Sequence, residues 1–142
     1  MFSKEQSKQL RQDFWIAFGK SYPRKWILYD TKIKGLIFKF HFDLEKAMVS
    51  LDVEHPNLER RIELWEKLTA IKTILKDDYL PTAVYEDCYV LENGKEISRI
   101  FVEKRQVSIH DKNTWQETMV FLQQTMSQFE GFFLAHDDIL SV

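Results

Sequence analysis

The chain has few of the residues that staple, hinge or interrupt a fold. Its single cysteine, Cys88, excludes an internal disulfide. It lies in an apolar strand pattern and is expected to be a buried, inert thiol. Four glycines and three prolines in 142 residues leave little material for a flexible linker. No uncharged apolar run approaches the ~20 residues of a membrane helix. The opening MFSKEQSKQL lacks the apolar core of a signal peptide. The expected location is therefore the cytoplasm, with no membrane partner.

Charge of one sign is also missing. The formal net charge is −2, without the basic excess that drives nonspecific binding to nucleic acid. Only short local groups, Lys20, Arg24 and Lys25, and then Lys104 and Arg105, keep a basic patch open. No GxGxxG, GxxxxGKS/T or GxSxG occurs, so a nucleotide fingerprint or nucleophile elbow is unsupported. His41, His55, His110 and His136 lack ligand spacing, and only one Cys exists to join them. No metal and no cofactor are expected.

What is present is apolar, and much of it aromatic. Apolar residues make up 44% of the chain, with eleven Phe, five Tyr and four Trp, enough for a sizeable core. The length suits one domain spanning residues 1–142. Ser3-Lys4-Glu5-Gln6 has the form of a capping box. It predicts a first helix to about Lys20, with Leu10, Phe14, Trp15 and Phe18 on its apolar stripe. Trp26–Tyr29 reads as a short strand.

The richest stretch follows, KGLIFKFHFDLEKAMVSLDVEH at residues 34–55. Leu36, Phe38, Phe40 and Phe42 alternate with Ile37, Lys39, His41 and Asp43. Ala47, Val49, Leu51 and Val53 alternate with Met48, Ser50, Asp52 and Glu54. This predicts a hairpin turning near Leu44 and Glu45, with Phe40 facing Val49 and Phe38 facing Leu51. A slip of one residue would turn an apolar row outward, so the pattern specifies the register.

After Pro56, Leu58, Arg61, Ile62, Trp65, Leu68, Ile71, Lys72 and Leu75 predict one helix. Residues 83–91 and 97–107 read as strands around Asn93-Gly94, a hairpin signal in which both residues take positive φ. Pairing Glu92 with Lys95 sets Val90 against Ile97, Tyr85 against Val102 and Cys88 against Arg99. Arg99 on an apolar strand needs a carboxylate, with Glu86 and Glu103 as candidates. Thr114-Trp115-Gln116-Glu117 reads as a second capping box, opening a helix to about Phe133. The tail AHDDILSV is expected to fray or to dock loosely. The expected fold is α+β: a mainly antiparallel sheet of about five strands, three helices, and the order α-β-β-β-α-β-β-α.

The polar row of the first hairpin gathers the reactive side chains. His41 near Asp52 and Glu54 is a combination suited to general acid–base chemistry. These three are the candidate catalytic residues, with Lys39 and Arg99 as candidate binding residues. On the strands of this hairpin the carboxylate–x–Lys spacing of metal-dependent nucleases is absent. Asp52-Val53-Glu54 runs into His55 and Pro56, and Glu45-Lys46 and Glu103-Lys104 point to opposite faces. Paired charges on a half-exposed sheet face are the alternative.

The chain resembles a bacterial domain family of unknown function. The resemblance rests on Phe14-Trp15, GLIFKFHF, AMVSLDVE, Arg60, Trp65, Ser98-Arg99-Ile100, Asp111-Lys112-Asn113-Thr114-Trp115, Phe129 and Phe132-Phe133. Members of that family occur alone, or as the C-terminal part of proteins with an N-terminal restriction-endonuclease-like domain. The resemblance implies an accessory role in DNA-related or defence systems, and it supplies no catalytic residues.

The preferred reading is a non-catalytic interaction or accessory module. A nucleic-acid-associated module linked to restriction or defence is one alternative. A small enzyme on the polar face of the hairpin is the other, and it requires a pocket where His41, Asp52 and Glu54 converge. A homo-oligomer or a protein partner is also open, through the apolar Phe121 side of the last helix.

Overall fold

A computed structural model describes residues 2–141. Helix α1 spans Lys4–Ser21, strands β1 and β2 span Leu36–Phe42 and Lys46–Val53, and helices α2 and α3 span Leu58–Ala70 and Lys72–Asp78. Strands β3 and β4 span Val84–Val90 and Glu96–Arg105. A 3-10 turn over Lys112–Thr114 leads into helix α4, Trp115–Leu140. The four strands form one antiparallel sheet in the order β1-β2-β4-β3.

The fold is α+β, as the patterns predict, with corrections in detail. Among the described residues there are four strands, not five, and four α-helices, not three, in the order α-β-β-α-α-β-β-α. The missing strand is Trp26–Tyr29. Leu28 takes a φ of 47°, and the segment turns back with Asp30 N–H donating to Ile27 C=O at 2.8 Å. The buried Glu130 of α4 holds it there, accepting from Ile27 N–H at 2.7 Å and pairing with Arg24. Its one sheet-like bond is Leu28 C=O accepting from Phe38 N–H at 3.0 Å.

The expected single central helix breaks at Ile71, just after Thr69 turns its hydroxyl back onto Trp65 C=O at 2.8 Å. Such back-bonding competes with the helix ladder and bends it. The last helix does not end at Phe133. It continues to Leu140, which is only 1% exposed and belongs to the core, so of the two expected outcomes the tail as far as Leu140 shows docking.

The first capping box forms as expected. Gln6 N–H donates to Ser3 Oγ at 3.1 Å, and Ser3 N–H donates to Gln6 Oε1 at 2.8 Å. The second does not. Thr114 is helical and makes no cap bond, because its hydroxyl is bound to Ser108 and Asp111. Asp111 instead caps the 3-10 turn, accepting from Asn113 N–H at 3.0 Å.

The β1–β2 register is the predicted one, with Phe40 opposite Val49 and Phe38 opposite Leu51. Phe38, Val49, Leu51, Ile100 and Val102 pack against Phe14, Leu68, Leu122 and Phe129 of the helices. The β3–β4 register differs from expectation. Near the turn Tyr89 faces Ile97, and beyond it Glu86 faces Arg99, with a bulge between Glu86 and Tyr89.

Two causes shift that register. The turn is a three-residue loop in which only Gly94 takes positive φ, at 85°. It closes with Leu91 N–H donating to Lys95 C=O at 2.8 Å, the geometry of a type I turn followed by a glycine bulge. Further along, Ser98 Oγ donates to Asp87 C=O at 2.7 Å, anchoring the bulged segment. The bulge leaves Cys88 exposed, which corrects the expectation of a buried thiol.

Candidate functional site

The sheet face turned away from the main core is buried as well. Met48, Ser50 and Asp52 of β2 and Ile97, Arg99 and Phe101 of β4 are all enclosed. Strands alternate their side chains, so these six share one side of the sheet. Arg99 lies directly opposite Asp52 across the β2–β4 pair.

That juxtaposition settles the partner of Arg99. The carboxylate is Asp52, not Glu86 or Glu103. Arg99 Nε donates to Asp52 Oδ1 at 2.7 Å and Nη2 to Oδ2 at 2.8 Å, a parallel pair of charge-assisted bonds. Lys39 Nζ reaches the same carboxylate at 3.0 Å and Glu54 at 2.9 Å. Lys95 approaches Glu54 from its other side at 3.5 Å. Asp52 itself is fully buried, at 0% exposure.

Burial works against charge on Arg99, but the bonds and charge of Asp52 outweigh it and hold the guanidinium above its ordinary pKa. Lys39 behaves alike. Burial opposes its charge, yet Glu54 and Asp52 together raise its pKa. Tyr89 lies across the guanidinium, its ring centroid 4.3 Å from Arg99 Cζ.

The five sequence-predicted site residues are only partly brought together. Lys39 joins Asp52 and Glu54, and Arg99 joins Asp52. His41 stands apart, with Nε2 2.7 Å from Asp43 Oδ2. Burial alone would raise the Asp43 carboxyl. His41 and the N–H groups of Glu45 and Lys46 overcome this and lower it. Asp43 thus organises the hairpin turn, accepting from Glu45 N–H at 2.8 Å and from Lys46 N–H at 2.9 Å.

Above this network lies a groove of about 490 Å³, a size common to small-ligand sites. Lys39, His41 and Arg99 line it, but Asp52 and Glu54 do not. Its other walls come from Asp43, Lys46, Met48 and Ser50 on the first hairpin and from Tyr89–Asn93 at the β3–β4 turn. Ser50, Met48, Tyr89 and Asn93 were not singled out from the sequence as site residues. Ser50 and Met48 carry the same alternation as Asp52, which is the signal that places them beside it. Tyr89 carried none, because the bulge that aims it depends on Ser98.

Elsewhere the site chemistry is sparse. Among the described residues no three of His, Cys, Asp and Glu are grouped to hold a metal ion. The exposed Cys88 is hydrogen-bonded to Glu96, which raises its pKa and disfavours the reactive thiolate. Phe121 is half-buried and packs on the core, so it offers less free apolar surface than its sequence position suggested. No helix among the described residues is long and apolar enough to cross a membrane.

Comparison with known proteins agrees with the family resemblance at its coarsest level. No curated protein and no solved structure matches the chain. A family model described as a domain of unknown function, DUF4268, matches residues 10–136 and so takes in every strand and the groove. The chain belongs to the DUF4268 family.

Proposed function

We propose that this protein is a non-catalytic binding module whose working surface is the groove on the open face of the sheet. One observation carries the reading: the ionisable groups at the groove floor are committed to one another, while the space above them stays open. Asp52 spends both oxygens on Arg99 and Lys39. Catalysis by a carboxylate base needs a lone pair within reach of substrate. Asp52 has 0% exposure and Glu54 lies outside the groove, so an enzyme built on His41, Asp52 and Glu54 has less support.

A nucleic-acid interface has less support too. Phosphate binding draws on unpaired cations. Lys39 and Lys46, the lysines at the groove, each face a carboxylate, Lys46 reaching Glu103 at 3.4 Å. The resemblance to domains that follow restriction-endonuclease-like domains extends the proposal to its setting. On this reading the module would work in a bacterial cytoplasm, as an accessory to such a nuclease. Residues 1–142 would act as one unit, which the core shared by the sheet and all four helices supports.

The test is a fragment screen followed by amide NMR. Hits are expected to shift resonances of residues 39–50 and 89–93 together. Asn93→Trp, which fills the exposed rim without touching the core, should abolish them. Hits that gather elsewhere, or that survive Asn93→Trp, would overturn the reading.

A further inference from the structure

We propose that residues 24–29 form a strap poised to close on the edge of β1, with Glu130 as its catch. Main-chain directions carry this, whether or not the groove holds a ligand. Strand β1 is an edge of the sheet. Asp43 N–H donates to Lys46 C=O at one end of the hairpin, and Glu54 N–H donates to Gly35 C=O at the other. Main-chain groups alternate in direction along a strand. The odd-numbered residues of β1 therefore face β2, and Leu36, Phe38 and Phe40 face away. The chain itself meets these outward groups as far as Phe38 N–H. Leu36 N–H donates to Ile33 C=O at 3.1 Å, Leu36 C=O accepts from the Thr31 hydroxyl at 2.7 Å, and Phe38 N–H donates to Leu28 C=O at 3.0 Å. Among the described residues nothing bonds the outward N–H and C=O of Phe40.

The Leu28–Phe38 bond is the first rung of an antiparallel ladder. Continued by two residues, that ladder sets Trp26 opposite Phe40, whose rings already lie 5.5 Å apart between centroids. Between strap and strand is a gap of about 310 Å³, lined by Leu28, Tyr29, Phe38, Phe40 and Trp15. Closure would fill the gap and pair Phe40 with Trp26. Leu28 marks where the ladder stops. Its φ of 47° lies in the left-handed region, which a bulky side chain rarely adopts. Such a conformation persists only where neighbours impose it, and it recurs at switch regions. The neighbour here is Glu130. It accepts from Ile27 N–H at 2.7 Å and pairs with Arg24, whose guanidinium lies 3.9 Å over the Trp26 ring. An edge strand holds its N–H groups in the plane of the sheet. Glu130 belongs to α4, in the helix layer, so Ile27 cannot serve both. Closure exchanges the Glu130 bond and some packing of Ile27 on the core for relief at Leu28 and new bonds at Phe40. It also covers main-chain groups that an open edge offers to another chain.

Amide hydrogen exchange on the intact chain reads the position of the strap, with the Lys39 amide, bonded within the hairpin, as internal reference. In the parent the Phe40 amide should exchange fast beside a protected Lys39. Glu130→Met removes the catch, and Leu28→Val makes the left-handed conformation untenable. Each should slow Phe40 exchange about tenfold. Each should also bring out an Ile27 Hα–Lys39 Hα Overhauser contact, the mark of facing residues in an antiparallel pair. Leu28→Gly takes the left-handed conformation without strain and should do neither. A merely destabilised fold exchanges faster, so slowing at Phe40 separates closure from damage. A parent in which Phe40 is as protected as Lys39 would overturn the proposal. So would unchanged or faster Phe40 exchange in Leu28→Val, the variant that decides the matter if Glu130→Met does not fold.

Discussion

The two faces of the sheet are both buried, but by different physics. On the helix side Phe38, Val49, Leu51 and Ile100 meet apolar side chains of α1, α2 and α4. That burial is non-directional and scales with area. On the open side Asp52, Arg99, Ser50 and Met48 are enclosed by ion pairs, by the ring of Tyr89 and by the overhanging β3–β4 turn. Burial there depends on each group having its own partner. The first face is robust to exchange of one apolar group for another. The second is exacting, and it is where open space remains.

The largest effect should come from the apolar face. Phe38→Ala removes a fully buried ring that packs edge-on against Phe133, and should cost about 4 kcal/mol in denaturant unfolding. A loss within experimental error would mean that the two faces are not divided as described.

Asp52→Asn comes next, at about 3 kcal/mol, because it strands a buried guanidinium. Replacing the pair together, Asp52→Leu with Arg99→Met, should recover most of that loss. A double-mutant cycle measures the coupling directly, and simple additivity would show that the pair is not the organising contact.

The smallest effect is a pH dependence at the turn. The Asp43 carboxyl is lowered from its ordinary 3.8, so its contribution is complete above that value and fades as pH falls through the folded one. Asp43→Asn should therefore be less stable than the parent at neutral pH, and the gap should close below about pH 4. A gap that stays constant down to acid unfolding would remove His41–Asp43 from the account.

The same contrast explains what could be read from the sequence. The β1–β2 register was legible because alternation with one apolar row allows one solution. The β3–β4 register was not. The β3 side chains are mostly exposed, so no burial pattern pins them, and the decisive bulge hangs on the bonds from Ser98 to Asp87. The α4 terminus carried a usable signal, since Leu140 lies seven residues after Phe133 on the same stripe. At the site, Asp52 and Arg99 were each noticed, yet not as partners. Their meeting depends on β2 lying beside β4, which joins residues 47 apart in sequence. Non-local pairing of that kind leaves no local trace.

The Asp52–Arg99 contact also guards the order of the sheet against a mistake that apolar alternation cannot detect. Sliding β4 along β2 by two residues keeps every apolar side chain on its proper face. In one direction it would set Arg99 against Ser50 and Asp52 against Ile97; in the other, Asp52 would meet Phe101. Either misalignment abandons a buried carboxylate, at a cost of several kcal/mol. The pair acts as a ratchet tooth, so that two strands otherwise free to slip in steps of two have one resting place.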